Sequence, residues 1–336
     1  MIRRGWQCSP IWALTQSSRM ILRSDGGRSI RYLSGGVLER TRPRQRSGPP
    51  SHWVLGAVAL ILSRLLPSLA SGQTYPFCGV CTLTETIADR FAPPRGFTRA
   101  EVSRGSYAEW LRQMPLLPPD ADALDWTGRL ALSAAEVGGV LDWRLLGRAE
   151  QCADIALRLA AEYARVKKED DRIAFRSLSG ETITWRAWRN GRYAINNDGS
   201  AIVYHPGVGL QDTRSAFDDF LRFVMTYANT ASIKRDWPVA GARDLRIGDV
   251  LVQPGCPGTG LGHLSVVVDL CENVSGERLY LFIDGFTPAR MPVVRQRLPE
   301  EPESVWMTSK QYQEYQIQFG WGTFHRSPGW GSAASQ

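Results

Sequence analysis

The chain has 336 residues, which is enough for one large domain or two small ones. Its formal net charge of +7 comes from the first 50 residues, which hold ten arginines and only two acidic residues. The remaining residues hold 30 basic and 31 acidic side chains, so the rest of the chain is close to neutral. This distribution argues against nucleic acid as a partner, because a nucleic-acid-binding domain concentrates positive charge on its folded surface.

Residues 1–72 are predicted to form an arginine-rich leader that ends in a signal peptide over residues 53–72. The apolar run 53–62 has signal-peptide length, and Leu69-Ala70-Ser71-Gly72 supplies small residues for cleavage. Arg64 interrupts the run well before the roughly 20 apolar residues that a spanning helix needs. We therefore expect an exported protein, periplasmic or extracellular, with no stable membrane span after cleavage. A short membrane anchor is the alternative.

Five cysteines remain after the predicted cleavage: Cys78, Cys81, Cys152, Cys256 and Cys271. Four of them can pair in an oxidising compartment, which leaves one free thiol. We predict that Cys152 is this thiol, because the others lie in loop-like or strand-end segments; the pairing itself stays open. A redox or metal role for Cys78 and Cys81 is disfavoured, since no strand precedes the pair and no matched second pair is present. We expect no metal and no cofactor.

Along the chain, residues 73–95 are predicted to be irregular, residues 96–330 to form a single α+β domain, and residues 331–336 to be a tail. A Ser-x-x-Glu capping box begins a short helix at Ser106. A longer amphipathic helix is predicted over 151–167, because its apolar residues recur at the three- and four-residue spacing of one buried face.

The charged residues of the long helix, Arg158, Glu162 and Arg165, are expected on its solvent side. The segments predicted as strands are 172–178, 182–188, 201–204, 250–252, 263–270 and 279–284, with a helix over about 215–228 between them. The sheet is expected to end at 299–302. A helix followed by a run of strands favours an α+β fold, in which the helix packs on an antiparallel sheet.

Cys152 and His263 could act as a thiol nucleophile and its base. Cys152 lies in the first helical turn, where free backbone N–H groups and the helix dipole stabilise a thiolate. His263 follows Gly262 and begins an apolar strand. If the helix packs on the start of that strand, the imidazole could take the thiol proton. The helix N–H groups could then stabilise an oxyanion, with Gln151 as a further donor.

Asp284 is the predicted third member of this site, because a third polar residue generally orients the imidazole. It ends the strand that follows His263, and in an antiparallel pair the end of one strand lies beside the start of the other. Alternation places Asp269 on the same face as His263, but six residues further along, which is ~20 Å away. The predicted catalytic residues are therefore Cys152, His263 and Asp284.

Each of these residues also has an ordinary structural explanation. Buried helix cysteines are usually inert, and a histidine at the start of a strand is often a capped or surface residue. The twelve tryptophans could stack on sugars, although core packing is their commoner use. The alternative to an exported cysteine hydrolase is therefore a non-catalytic envelope protein that binds glycan or peptide.

The order of these motifs resembles the papain-like NlpC/P60 and CHAP class of bacterial cell-wall cysteine peptidases. In that class a cysteine at a helix N-terminus precedes a Gly-Asp turn and then a Gly-His pair that opens a strand. Here these are Cys152, Gly248-Asp249 and Gly262-His263, although the 111 residues from Cys152 to His263 exceed the usual spacing. The resemblance implies a papain-like fold and hydrolysis of amide bonds, such as those of cell-wall peptides.

A more specific resemblance covers about residues 95–330 and is to the bacterial family called domain of unknown function 4846, which implies no established activity. The motifs that carry it stand in order: Gly96-Phe97-Thr98-Arg99, Tyr107-Ala108-Glu109-Trp110-Leu111-Arg112, Gln151-Cys152-Ala153-Asp154, Gly248-Asp249-Val250, Gly262-His263 and Thr287-Pro288-Ala289. The chain departs from the family in two places. The loop 257–263 is longer than the family's Pro-Gly-His, and Asp284 stands where glutamine is more common.

Overall fold

The computed structural model describes residues 74–80, 85–196, 201–207, 212–255 and 262–327. The predicted leader with its signal peptide and the predicted tail lie outside the described residues. Among the described residues, no helix is both long enough and apolar enough to span a membrane.

Seven α-helices lie in the described residues: α1 (Ile87–Arg90), α2 (Tyr107–Arg112), α3 (Cys152–Val166), α4 (Trp185–Asn190), α5 (Arg214–Tyr227), α6 (Thr230–Asp236) and α7 (Ser309–Tyr315). The three predicted helices are α2, α3 and α5, and Ser106 caps α2 as predicted. The segment 73–95 is not wholly irregular, because Thr86 and Asp89 form a capping box around α1. A four-residue helix is too short to show a periodic apolar face.

The described residues contain fourteen β-strands: β1 (Phe97–Arg99), β2 (Ala123–Leu124), β3 (Leu130–Leu132), β4 (Gly139–Val140), β5 (Ala174–Arg176), β6 (Thr182–Thr184), β7 (Gly191–Ile195), β8 (Ile202–Pro206), β9 (Val239–Ala240), β10 (Val250–Gln253), β11 (His263–Asn273), β12 (Arg278–Asp284), β13 (Val293–Val294) and β14 (Thr323–His325). Eight of them form the main antiparallel sheet, in the order β4-β13-β12-β11-β10-β14-β9 with β1 added on β11. The predicted α+β fold with an antiparallel sheet is therefore confirmed.

The two faces of the main sheet belong to different hydrophobic cores. Successive side chains of a strand point to opposite faces, and along β11 Leu264 and Val266 join the core around α3, whereas Val267 joins the core around α7. Phe282 of β12 and Tyr312 of α7 stack in this second core, with ring centroids 3.7 Å apart. We call these two sides of the sheet the α3 face and the α7 face.

The prediction that Arg158 and Glu162 lie on the solvent side of α3 is wrong, since both are fully buried. They are buried as ion pairs: Arg158 Nη1 lies 2.6 Å from Glu150 Oε1, and Arg214 Nη1 lies 2.6 Å from Glu162 Oε2. Burial is compatible with charge here because each charged group has a partner of opposite sign.

Two further local predictions are wrong. Residues 185–188 are helical rather than extended, because the Thr184 hydroxyl accepts a hydrogen bond from the Ala187 N–H and caps α4. The sheet does not end at 299–302, since β14 returns to pair with β10. Neither a cap inside a strand-like segment nor a distant strand partner leaves a periodic signal in the sequence.

A bulge in β11 turns Asp269 away from the face that simple alternation predicts. The register shifts between Val267 and Asp269, so Asp269 pairs across from Leu281, a residue of the core on the α3 face. On that face Arg99 Nε lies 2.7 Å and Arg112 Nε 2.6 Å from the Asp269 carboxylate.

Candidate functional site

The start of β11 and the end of β12 bring His263 and Asp284 together on the α7 face. His263 Nε2 lies 3.2 Å from Asp284 Oδ2, and both side chains are buried. The antiparallel pairing of the two strands produces this contact, because Val266 pairs with Ile283 and leaves the two polar residues at the same sheet edge. The structure therefore contains the contact that the sequence predicts.

Two arginines that the sequence reasoning missed also hold Asp284. Arg290 Nη2 donates to Asp284 Oδ1 and Arg295 Nε donates to Oδ2, each at 2.8 Å. Burial alone would raise the pKa of Asp284, but Arg295, Arg290 and His263 together hold it well below its ordinary value. Asp284 is therefore ionised and can only accept, so the proton of its bond with His263 lies on the imidazole Nε2.

The surroundings of His263 keep the imidazole neutral. Burial lowers the pKa of His263; Asp284 opposes this effect, while Arg295 and Arg290 add to it. The ring stacks on Phe319, with centroids 4.0 Å apart. Since Nε2 carries the proton, Nδ1 presents a lone pair. No hydrogen bond to Nδ1 occurs within the described part of the chain.

Cys152 begins α3, which packs on the α3 face of the sheet. The His263 imidazole points to the α7 face, so the thiol and the imidazole lie on opposite faces of β11. Cys152 Sγ is 3.8 Å from the carbonyl oxygen of Gly262, and Leu264 points into the core on which α3 packs. Among the described residues, the thiol and the His263 imidazole make no hydrogen bond with each other. The thiol thus contacts the strand backbone beside His263 rather than the imidazole itself.

The environment of Cys152 keeps the thiol protonated. Burial raises the pKa of Cys152 to about 12, and hydrogen bonds from the backbone of Leu264 and Ala153 offset only part of this effect. The helix N-terminus was expected to favour a thiolate. Desolvation is the larger effect because only 5% of the residue is exposed.

Gln151, the predicted oxyanion donor, is the N-cap residue of α3. Its side-chain Oε1 accepts a hydrogen bond from the Thr287 hydroxyl at 2.9 Å, and its backbone N–H donates to Asp154 Oδ2. These bonds tie the start of α3 to the loop that follows β12. Gln151 is therefore fixed at the same sheet edge as His263 and Asp284.

Cys271 is also a free, buried thiol, so Cys152 is not the single free cysteine of the described residues. Burial raises the pKa of Cys271 to about 12. Cys81 and Cys256 lie outside the described residues. No group of three or more His, Cys, Asp or Glu side chains that could hold a metal ion occurs within the described ranges.

A second feature of this edge, which the sequence reasoning also missed, is a turn that presents Trp321. Gln253 pairs across from His263 in the sheet, and its Nε2 donates to the Gly320 carbonyl oxygen at 2.7 Å. A Cβ at Gly322 would lie 2.8 Å from the Gln253 side chain, so only glycine allows this close approach. The turn leaves 54% of Trp321 exposed. The Gly-Trp-Gly spacing is the sequence signal that could have indicated it.

A family model described as a domain of unknown function (4846) matches residues 87–327. The chain belongs to this family. The match extends from the start of α1 to just beyond β14, so the 4846 domain includes the whole main sheet and every candidate site residue. No curated protein and no solved structure matches the chain.

Proposed function

We propose that the protein is a non-catalytic, exported binding protein, in which a papain-like shell recognises glycan or peptide at the turn that presents Trp321. The observation that carries the proposal is the large exposed area of this indole on a turn anchored to Gln253. An exposed indole offers a flat apolar surface on which a sugar ring or an apolar side chain can stack, whereas core packing is the commoner use of tryptophan.

The geometry around Cys152 supports binding rather than hydrolysis. A cysteine nucleophile needs a substantial thiolate fraction and a base within hydrogen-bond reach. Here burial raises the thiol pKa to about 12, and the thiol donates to the Gly262 carbonyl oxygen rather than to a base. The His263–Asp284 pair lies on the other face of the strand, so both needs are unmet in this arrangement.

The test of binding is a comparison of Trp321→Ala with Trp126→Ala. Trp126 lies in the turn between β2 and β3 and is 43% exposed, which makes it a matched control. In a pull-down with isolated bacterial cell wall, Trp321→Ala should weaken binding about 10-fold, because one stacking contact is worth about 1 kcal/mol or somewhat more. Trp126→Ala should bind like the wild type, and equal binding by all three proteins would overturn the proposal.

A cysteine hydrolase acting on amide bonds of cell-wall peptides is the second candidate. It is favoured by the 3.8 Å contact of the Cys152 thiol with Gly262, the residue directly before His263. A local rearrangement of the strand start would bring thiol and imidazole together. Cys152 would then attack, His263 would move the proton and Asp284 would orient the ring. Gln151 and the N–H groups of α3 would stabilise the oxyanion.

Iodoacetamide labelling of Cys152 near neutral pH separates the two candidates. A hydrolase requires Cys152 to react faster than the same thiol in the denatured chain, and His263→Ala should remove the excess rate. The binding protein should label much more slowly when folded, because a pKa of about 12 leaves almost no thiolate at pH 7. Fast labelling that depends on His263 would establish the activated pair and refute the non-catalytic reading.

A further inference from the structure

We propose that Gln253 and His263 form a buried subsite that accepts hydrogen bonds from neutral donor groups of a glycan, namely hydroxyl and acetamido N–H groups. The inference rests on the proposed function, because the subsite lies beneath the turn that presents Trp321. The two residues pair across β10 and β11, which places their side chains next to each other on the α7 face.

The Gln253 side-chain amide has a fixed orientation. Its Nε2 donates to the carbonyl oxygens of Gly320 at 2.7 Å and Gln316 at 3.3 Å. Because carbonyl oxygens only accept, the nitrogen must face them and Oε1 must point elsewhere. Oε1 is buried and has no hydrogen-bond partner within the described residues. A buried acceptor without a partner costs free energy that a ligand donor would recover.

His263 supplies the second acceptor of the subsite. Its Nε2–H is committed to the ionised Asp284 carboxylate, which leaves the Nδ1 lone pair. Nδ1, like Gln253 Oε1, has no hydrogen bond in the described part of the protein. Two acceptors on neighbouring strands therefore lack donors. A ligand with two adjacent donor groups would complement them.

The charges around the subsite select against ionic ligands. Arg290 and Arg295 carry two positive charges and Asp284 one negative charge, so the buried cluster has one excess positive charge that disfavours an ammonium group. Carboxylate and phosphate oxygens are hydrogen-bond acceptors, so they cannot bond to Gln253 Oε1 and His263 Nδ1, which are acceptors too. Neutral sugars with hydroxyl and acetamido groups satisfy both conditions, and their apolar faces can stack on Trp321.

Entry of the ligand requires the turn around Trp321 to lift from Gln253, and the remaining bond from Nε2 to the Gln316 carbonyl oxygen then keeps the amide oriented. His263 is 3% exposed and stacks on Phe319, whereas Gln253 is 1% exposed and packs against the Gly320–Gly322 turn. Gly320 has a φ of 76°, a conformation that glycine adopts without strain, and the two glycines of this turn give it more backbone freedom than other residues would. A sugar that stacks on Trp321 would displace the turn and expose the two acceptors.

The probe for this subsite is the tetramer of β-1,4-linked N-acetylglucosamine, titrated calorimetrically into the full chain. We expect Gln253→Leu to weaken binding about 10-fold or more, because it removes one acceptor and leaves the volume similar. Gln296→Leu is the matched control. Gln296 is a buried glutamine whose Nε2 donates to the Glu301 carbonyl oxygen, and its change should alter binding less than about 2-fold. The deacetylated, cationic tetramer should bind at least about 10-fold more weakly than the neutral one.

If Gln253→Leu does not fold, NMR of the wild type provides a second test of the subsite. Saturation with the neutral tetramer should shift the ¹⁵N resonance of His263 Nδ1, and an unchanged resonance at saturation would overturn the subsite. Binding that Trp321→Ala weakens but Gln253→Leu leaves intact would also overturn it, while the proposed binding function would stand. Failure of the wild type to bind either the tetramer or cell wall would refute both.

Discussion

Neighbouring residues of one strand have opposite environments at the candidate site. Gly262 and Leu264 lie against Cys152 on the α3 face, whereas His263 between them points to the α7 face and contacts Asp284. Sequence spacing can predict that a helix start and a strand start lie close together, but the direction of each side chain depends on register. The thiol of Cys152 therefore contacts the backbone directly before His263, while the imidazole points to the opposite face of the strand.

At the residue scale, the neutral state of His263 makes the stability of the protein depend on pH. Burial lowers the pKa of His263 in the folded state, whereas in the unfolded chain it is about 6.5. As the pH falls below about 6.5, the unfolded state takes up a proton that the folded state does not. Stability from this residue is therefore fully present above that pH and is lost as the pH falls through the folded-state pKa.

Urea denaturation at intervals between pH 5 and 8 measures this effect. As the pH falls, the free energy of unfolding of the wild type should decrease by up to about 1.4 kcal/mol per pH unit more than that of His263→Gln. The substitution removes the titrating group. Identical slopes for the wild type and His263→Gln would show that the folded imidazole is not held neutral.

At the scale of secondary structure, the sequence predicted elements with long periodic patterns and missed those set by a single contact. The start of α3 and the strands β11 and β12 followed from periodicity and turn residues, and so did the contact between His263 and Asp284. The helix α4 depends on one cap at Thr184, and the orientation of Asp269 depends on one bulge. A cap or a bulge depends on a single residue. A hydrophobic pattern averaged over a window of sequence does not detect such a feature.

Long-range partners account for the rest of what the sequence could not predict. Arg290 and Arg295 look like ordinary loop and surface residues until β13 folds beside β12 and brings them to Asp284. Trp321 reaches the site only because β14 returns to pair with β10. In both cases the site is assembled from segments whose proximity is a property of the sheet order, not of local sequence.

At the scale of the whole molecule, a buried charge network joins α3 to α5 and to the segment that precedes α3. Arg158 is fully buried and bonds Glu150, which also accepts a hydrogen bond from the Trp143 indole N–H at 2.7 Å. Arg158 also contacts Glu162, and Glu162 pairs with Arg214 of α5. The network positions the helix start that carries Cys152 and Gln151, because Glu150 directly precedes Gln151.

Arg158→Met should therefore destabilise the whole fold by about 3–5 kcal/mol, since it leaves Glu150 buried without its cation while keeping most of the side-chain volume. Arg186→Met is the control: Arg186 of α4 pairs with Asp171 on the surface, and such exposed pairs contribute under about 1 kcal/mol. Chemical denaturation of both variants measures the difference. A loss of less than about 1 kcal/mol for Arg158→Met would mean that apolar packing of α3 on the sheet, rather than the buried charges, fixes the helix start beside His263.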